Sequence, residues 1–169
     1  MSKQNYKKVV KEMCLQRNYN FLSETDDEQL YEECKVIFTG NIKINIQYIK
    51  ELIHLMEMEN IDHTIIVYKG CTTISVKNII DMTDCFNIEL FEEGELNFNI
   101  TKHSLVPQHI KLCKDNKKDR DILQELKKHE RNIPIILRKD PISKFYNYSR
   151  GDIIKIKRND GDIIYRLVY

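Results

Sequence analysis

The chain has 169 residues, of which 41% are hydrophobic, and its 27 Lys and Arg nearly balance its 26 Asp and Glu. The hydrophobic fraction excludes a disordered tail protein, because a chain of this length buries roughly 70% of its unfolded surface. The small net charge gives no overall attraction to nucleic acid or to a membrane. Residues up to Ile100 nevertheless include 10 basic and 17 acidic side chains, a net charge of −7, whereas the later residues include 17 and 9, a net charge of +8.

This uneven charge predicts two units with different electrostatic properties. The junction is predicted near residues 101–107, where Pro107 has a fixed φ and no N–H and therefore favours an extended linker. We predict one domain over residues 1–100 and a second over residues 101–169.

The N-terminal part alternates helical and strand patterns. Apolar residues from Tyr6 to Cys14 recur at helical spacing and predict a helix that ends near Asn18. Thr25-Asp26-Asp27-Glu28 has the pattern of a capping box and predicts a second helix that runs to about Val36. The later predicted elements are a helix over 46–56, a strand over 63–68, a helix over 74–82, and strands over 86–91 and 95–100. This alternation predicts an α/β domain with some parallel strand pairing.

The C-terminal part predicts a smaller α+β domain. A brief strand is expected over 109–112 and a highly charged helix over 115–129. Asp140-Pro141 predicts the start of a short helix that runs through Phe145, because a carboxylate N-cap precedes a proline at the first helical position. Strands over 153–157 and 163–168 flank Asp160-Gly161, which supplies the positive φ angles of a tight turn. The domain is therefore predicted to end in an antiparallel hairpin.

No cofactor and no metal site are predicted. The five glycines occur singly, so no loop has the composition that holds a phosphate, and the pair His103 and His109 lacks a further ligand. The five cysteines form no close pair, and free thiols in a reducing compartment are expected. Because no run of 18 apolar residues occurs, we expect no membrane span and an intracellular soluble protein.

Two alternative functions rest on weaker patterns. A degenerate metal-dependent nuclease would be built on the N-terminal α/β layer, with Asp81 and Asp84 as its candidate carboxylates. Asp115-Asn116-Lys117 also has the spacing of an acid and a lysine, but it lies at the head of a charged helix and is more typical of a solvated face. A free DNA-binding transcription regulator is suggested by the basic C-terminal half. There the cations alternate with acids, which is more typical of a solvated surface or of one that faces an acidic partner. An exposed apolar run over 133–137 would instead indicate a protein partner.

Four ordered motifs between His103 and Val168 resemble a known protein family. They are His103-Ser104-Leu105-Val106-Pro107-Gln108-His109 with Asp115 after it, Lys139-Asp140-Pro141, Arg150-Gly151-Asp152-Ile153-Ile154-Lys155-Ile156, and Tyr165-Arg166-Leu167-Val168. They resemble the fifth-largest subunit of eukaryotic nuclear RNA polymerases, which polymerases I, II and III share and whose C-terminal part is similar to a subunit of the archaeal RNA polymerase. Looser agreement, as in Met13-Cys14-Leu15 followed by Arg17, extends the resemblance over nearly the whole chain.

The resemblance implies a non-catalytic subunit of a DNA-directed RNA polymerase. It implies an N-terminal jaw domain near downstream duplex DNA and a C-terminal assembly domain on the largest catalytic subunit, with the other polymerase subunits as further partners. The implied DNA-proximal loop contains Thr72, Thr73, Ser75 and Lys77, and the family's Thr-Pro-Ser is replaced by Thr72-Thr73-Ile74. The implied interface with the largest subunit contains Pro107, His109, Ile135, Leu137, Asp140, Pro141, Arg150, Tyr165 and Arg166.

The resemblance also bears on location. A cellular member of the family would lie in the nucleus, and no membrane partner is expected. The segment between Phe38 and Ile42 is shorter than in the cellular subunits, and the chain contains no Ala. These departures give the hypothesis of a polymerase encoded by a large DNA virus, whose subunit would lie in a cytoplasmic viral factory or in the virion.

Overall fold

The computed structural model describes residues 4–83, 85–128 and 132–169. The chain divides into two units, Met1–Phe98 and Asn99–Tyr169, and the structure contains one five-stranded and one four-stranded sheet. A mixed α/β fold is therefore confirmed, whereas the jaw and assembly roles of its parts stay predictions. None of the helices in the described ranges has the length and apolarity that crossing a bilayer requires.

The N-terminal unit is built around the five-stranded sheet. Its elements are α1 (Gln4–Gln16), β1 (Phe21–Glu24), β2 (Glu28–Tyr31), β3 (Lys35–Gly40), α2 (Ile46–Glu59), β4 (His63–Tyr68), α3 (Ile74–Met82), β5 (Asn87–Glu92) and a 3-10 helix, Glu93–Leu96. The strands lie in the order β1-β2-β3-β4-β5, with antiparallel pairing from β1 to β3 and parallel pairing from β3 to β5. The predicted parallel pairing is confirmed.

The strand β4 lies at the centre of the parallel part and is buried along its whole length. A continuous β-branched run suits a strand that is covered on both faces. On one face α2 and α3 pack through Met56 and Val76 in a cluster that includes Ile66. On the other face α1 packs on β3, where the ring centroids of Tyr6 and Phe38 are 5.7 Å apart.

The helix predicted from Thr25 to Val36 is wrong, because this segment forms β2 and the start of β3. Thr25 and Glu28 do pair, but they close a turn: the Thr25 N–H donates to the Glu28 carbonyl at 2.8 Å, and the Glu28 N–H donates to the Thr25 hydroxyl at 3.1 Å. A threonine hydroxyl can accept this bond at a helix start or in a turn. The burial pattern favours the turn and strand over a helix, because buried and half-buried residues alternate along β2 with the period of a strand.

The strand predicted over 95–100 is also wrong. The chain forms a 3-10 helix at Glu93–Leu96, in which the Glu95 carboxylate accepts a hydrogen bond from the Glu92 N–H at 2.9 Å. Asn99 then accepts from the Thr101 N–H at 3.0 Å and starts a second 3-10 helix. Local bonds from side chains to the backbone thus replace the bonds that a strand would make with a neighbour.

The C-terminal unit has a four-stranded sheet and two helices. Its elements are the 3-10 helix Ile100–Lys102, β6 (Gln108–Lys111), α4 (Lys117–Lys128), β7 (Ile135–Ile136), α5 (Pro141–Phe145), β8 (Ile153–Lys157) and β9 (Ile163–Val168). The strand order is β6-β8-β9-β7, and only the β7–β9 pair is parallel. The predicted antiparallel hairpin is confirmed, but of the predicted turn pair only Gly161 has a positive φ, +92°, and Asp160 does not. The predicted start of α5 is also confirmed, where Asp140 Oδ1 accepts from the Ile142 N–H at 2.9 Å.

The sheet of the C-terminal unit is covered on both faces. Ile154, Ile156 and Val168 point to one face and pack with Tyr148, which follows α5. Ile153 points to the other face, where a separate cluster includes Leu123 of α4. Neighbouring residues of one strand therefore belong to different clusters, as the alternation of side chains along a strand requires.

Candidate functional site

The predicted DNA-proximal loop directly follows β4. Gly70 has a φ of +95°, a conformation that favours glycine, and Thr73 is the N-cap residue of α3. Thr73, Ser75 and Lys77 are exposed and Thr72 is half-buried. The Thr73 carbonyl accepts from the Lys77 N–H at 3.3 Å, which begins the helix. The four predicted residues thus share one loop and the first turn of α3.

A buried ion pair, which the sequence analysis missed, ties the end of α1 to this sheet. Arg17 donates two hydrogen bonds to the Glu89 carboxylate, at 2.7 and 2.9 Å. His63 Nε2 donates to the same carboxylate at 2.6 Å, and the Tyr19 hydroxyl lies 3.4 Å from His63 Nδ1. The network joins α1, β4 and β5. The available signal in the sequence was a carboxylate between the apolar residues Ile88 and Leu90 of β5, because a buried charge requires a partner.

The network sets the charge of its carboxylate. Burial alone would raise the pKa of Glu89, but the Arg17 guanidinium and the hydrogen bond from His63 outweigh burial and hold this pKa below its ordinary value. Cys14 and Cys34 are also buried, and their mutual hydrogen bond lowers the pKa of Cys14 and raises that of Cys34. Thiols buried in this way act as structural side chains.

The described residues suggested for a nuclease lie at a helix start and on a helix surface. Asn116 Oδ1 accepts from the Lys118 N–H at 3.0 Å and so caps the start of α4, while Asp81 is exposed on α3. Asp84 lies outside the described residues. Within residues 4–83, 85–128 and 132–169, no group of three or more His, Cys, Asp or Glu side chains is placed to hold a metal ion.

Five of the predicted interface residues form a connected group in the C-terminal unit. His109 Nδ1 donates to the Pro107 carbonyl at 2.8 Å. Burial lowers the pKa of His109, against the opposing effects of that carbonyl and of the nearby Asp140 carboxylate, and the positive charge of Arg166 adds to the lowering. Arg166 Nη1 in turn donates to the Ile135 carbonyl on β7 at 3.2 Å. This group therefore runs from β6 to the edge strand β7.

Two further predicted residues, Tyr165 and Pro141, adjoin members of this group in the sequence but face other surroundings. Tyr165 precedes Arg166 on β9 and points to the opposite face, where it packs against the cluster that contains Leu123. Pro141 is exposed at the first position of α5. The sequence motif Tyr165-Arg166 thus supplies one core residue and one residue of the connected group.

The last two predicted residues, Leu137 and Arg150, lie near the outer edge of the sheet. Ile135 and Leu137 are 52% and 55% exposed although both are apolar, and the terminal Tyr169 is 59% exposed. The Arg150 guanidinium lies 4.4 Å from the centre of the Tyr169 ring. The strand β7 is at the edge of its sheet, so these exposed apolar side chains lie along a sheet edge. An exposed apolar edge is typical of a surface that another protein covers.

Comparison with known proteins finds a family model that matches the C-terminal unit. Residues 98–169 match the family model described as RNA polymerase Rpb5, C-terminal domain. The C-terminal unit of the chain is similar to RNA polymerase subunit Rpb5. The Rpb5 match covers all four motifs of the C-terminal unit together with both of its predicted helices, so the resemblance that the sequence analysis stated is confirmed.

Curated relatives extend the Rpb5 similarity into the N-terminal unit. The chain is 35% identical over 138 residues to the subunit RPABC1 of DNA-directed RNA polymerases I, II and III from Caenorhabditis elegans and from Caenorhabditis briggsae, which is 79% of this chain and 64% of each relative. It is 33% identical over 126 residues to the corresponding subunit of Dictyostelium discoideum, or 73% of this chain and 63% of that relative. The chain therefore spans just under two thirds of the length of these Rpb5 relatives.

Proposed function

We propose that this chain is a non-catalytic subunit of a multisubunit DNA-directed RNA polymerase. The observation that carries the proposal is the match of residues 98–169 to the Rpb5 C-terminal domain. The curated relatives, which are named as subunits of polymerases I, II and III, support it. In a cellular host the complex would act in the nucleus. If a virus encodes the chain, the complex would lie in a viral factory or in the virion.

The C-terminal unit is proposed to dock on the largest polymerase subunit. The exposed apolar side chains of Ile135 and Leu137 support this role, because removing apolar surface from water drives association. Arg166 holds the carbonyl of Ile135 and so fixes the edge strand that presents these side chains. His109, whose pKa responds to the charges of both Asp140 and Arg166, completes the polar part of this proposed interface.

Purification of the tagged full chain from cells in which it is naturally made tests this proposal. Mass spectrometry should find the large polymerase subunits. The double variant Ile135→Asp/Leu137→Asp should lose them, because it places charges on the apolar edge. Leu105→Asp is the matched control, since Leu105 is 83% exposed elsewhere in the same unit, and it should retain them. Full retention by the double variant would contradict the proposed interface.

The N-terminal unit is proposed to lie near downstream DNA through the loop that contains Thr72, Thr73, Ser75 and Lys77. Its exposed hydroxyls and its lysine are groups that donate to phosphate oxygens. A photo-crosslinker placed at Ser75 in the assembled polymerase should label the downstream duplex. A crosslinker at Gln47, which is exposed on α2, should not. Equal labelling from both positions would contradict this orientation.

A further inference from the structure

A groove of about 320 Å³ lies between α4 and the start of β8 in the C-terminal unit. Its floor includes Leu112, Leu123 and Ile153, which are 5%, 9% and 5% exposed. Three cations, Lys114, Arg120 and Lys127, also line it. The groove thus combines an apolar floor with a positively charged rim.

The arrangement of α4 explains why the rim is positive. Arg120, Leu123, Gln124 and Lys127 line the groove, and their spacing of i, i+3, i+4 and i+7 places them in one stripe of the helix. Asp121 and Glu125 project roughly 100° or more from the centre of this stripe, as the helical period requires. Although α4 contains several acids, its groove side carries cations, an amide and a leucine.

The remaining charge in the groove is already neutralised. Asp152 lines the groove near its floor, and its Oδ2 lies 2.8 Å from Lys111 Nζ and accepts from the Ser149 N–H at 2.8 Å. Within the part of the chain that the structure describes, no carboxylate forms an ion pair with Lys114, Arg120 or Lys127. Among the described residues the three cations thus have no counter-ion, and they can pair with an external anion.

We propose that this groove binds an acidic peptide segment of another protein, which inserts one apolar side chain onto the floor and pairs its carboxylates with the three cations. The floor favours a peptide over a nucleic acid, because phosphates would leave Leu112, Leu123 and Ile153 without apolar contact. The positive rim selects an acidic segment, since complementary charge fixes the partner and speeds association. The inference does not depend on the chain being a polymerase subunit.

The test is selection from a library of random 12-residue peptides displayed on phage, with the full chain immobilised. Enriched peptides should carry several Asp or Glu residues around a Leu, Ile, Met or Phe. A fluorescein-labelled copy of an enriched peptide should bind Arg120→Glu at least tenfold more weakly than the parent chain. Gln124→Trp, which fills the groove without changing its charge, should weaken binding as well.

The matched control is Lys118→Glu. Lys118 lies on the side of α4 away from the groove, roughly 160° from Arg120 around the helix, and its replacement changes the net charge in the same way as Arg120→Glu. Peptide binding by this variant should stay within twofold of the parent, and the folding of each variant is checked by circular dichroism.

Four results would overturn the inference. The first is a selection that enriches no acidic peptides over the starting library. The second is peptide binding that both groove variants leave unchanged. The third is a 20-base-pair DNA duplex that binds more tightly than the peptide and is lost in the same variants. The fourth is self-association of the parent chain that the groove variants abolish, since a second copy would then be the occupant.

Discussion

Glu89 remains charged inside the N-terminal unit because Arg17 and His63 both donate hydrogen bonds to it. Glu89→Gln should leave the buried Arg17 guanidinium without its counter-ion. Removal of one partner of a buried pair costs about 3–5 kcal/mol, so the free energy of unfolding should fall by that amount. Urea unfolding measures it. Glu57→Gln, a change on the exposed face of α2, is the control and should have little effect. Similar losses from both variants would contradict a special role for the network.

The lowered pKa of Glu89 also makes the free energy of unfolding depend on pH. Because the folded pKa of Glu89 lies below its ordinary value of 4.5, the folded state binds fewer protons than the unfolded state in acid. The stability that the ion pair contributes is therefore fully present above about pH 4.5 and is lost as the pH falls through the folded pKa. The difference in unfolding free energy between the parent chain and Glu89→Gln should shrink below pH 4.5. A difference that stays constant as the pH falls would contradict the lowered pKa.

At the scale of elements, the short helix α5 depends on its N-cap. Asp140 Oδ1 accepts from the Ile142 N–H, and Pro141 occupies the first helical position. Asp140→Ala should lower the free energy of unfolding by about 1 kcal/mol, because an alanine cannot accept this hydrogen bond. Asp140→Asn keeps an acceptor and should cost much less. If the two variants are equally destabilised, the charge of Asp140 rather than its cap matters.

Elements with local determinants were predictable from the sequence. The start of α5 and the final hairpin follow from residues within a few positions of each other, namely Asp140-Pro141 and Asp160-Gly161. The segment from Thr25 to Val36 was not predictable in this way, because its threonine bond is compatible with a helix or a turn. Pairing of β2 with β3, and of β3 with the distant β4, decides its structure. Tertiary contacts thus override the local signal.

The candidate sites were also only partly predictable from the sequence. The motifs located the C-terminal residues, but the sequence could not show that Tyr165 and Arg166 point to opposite faces, since that depends on which helix covers each face. Arg17 and Glu89 are 72 positions apart, so their pairing requires the folded sheet. For the region of α4, the sequence predicts only a surface of mixed charge that could face an acidic partner. The groove itself is not predictable, because the positions of its cations depend on how α4 packs on the sheet.

At the scale of the whole molecule, the small net charge is the sum of an acidic and a basic half. In the proposed polymerase the two halves have different neighbours. The C-terminal unit offers an apolar edge at Ile135 and Leu137 and a basic groove beside α4, both of which are proposed surfaces for protein partners. The N-terminal unit offers the loop proposed to lie near DNA. The family match covers the C-terminal unit, for which the first role is proposed.

The most direct test of the central claim is to purify the polymerase through a tag on its own largest subunit, from cells in which this chain is naturally made. Quantitative mass spectrometry then measures how much of this chain is present. The account predicts one copy of the chain for each largest subunit, retained through salt washes that remove loosely bound proteins. A transcriptionally active polymerase that contains none of this chain would contradict the account.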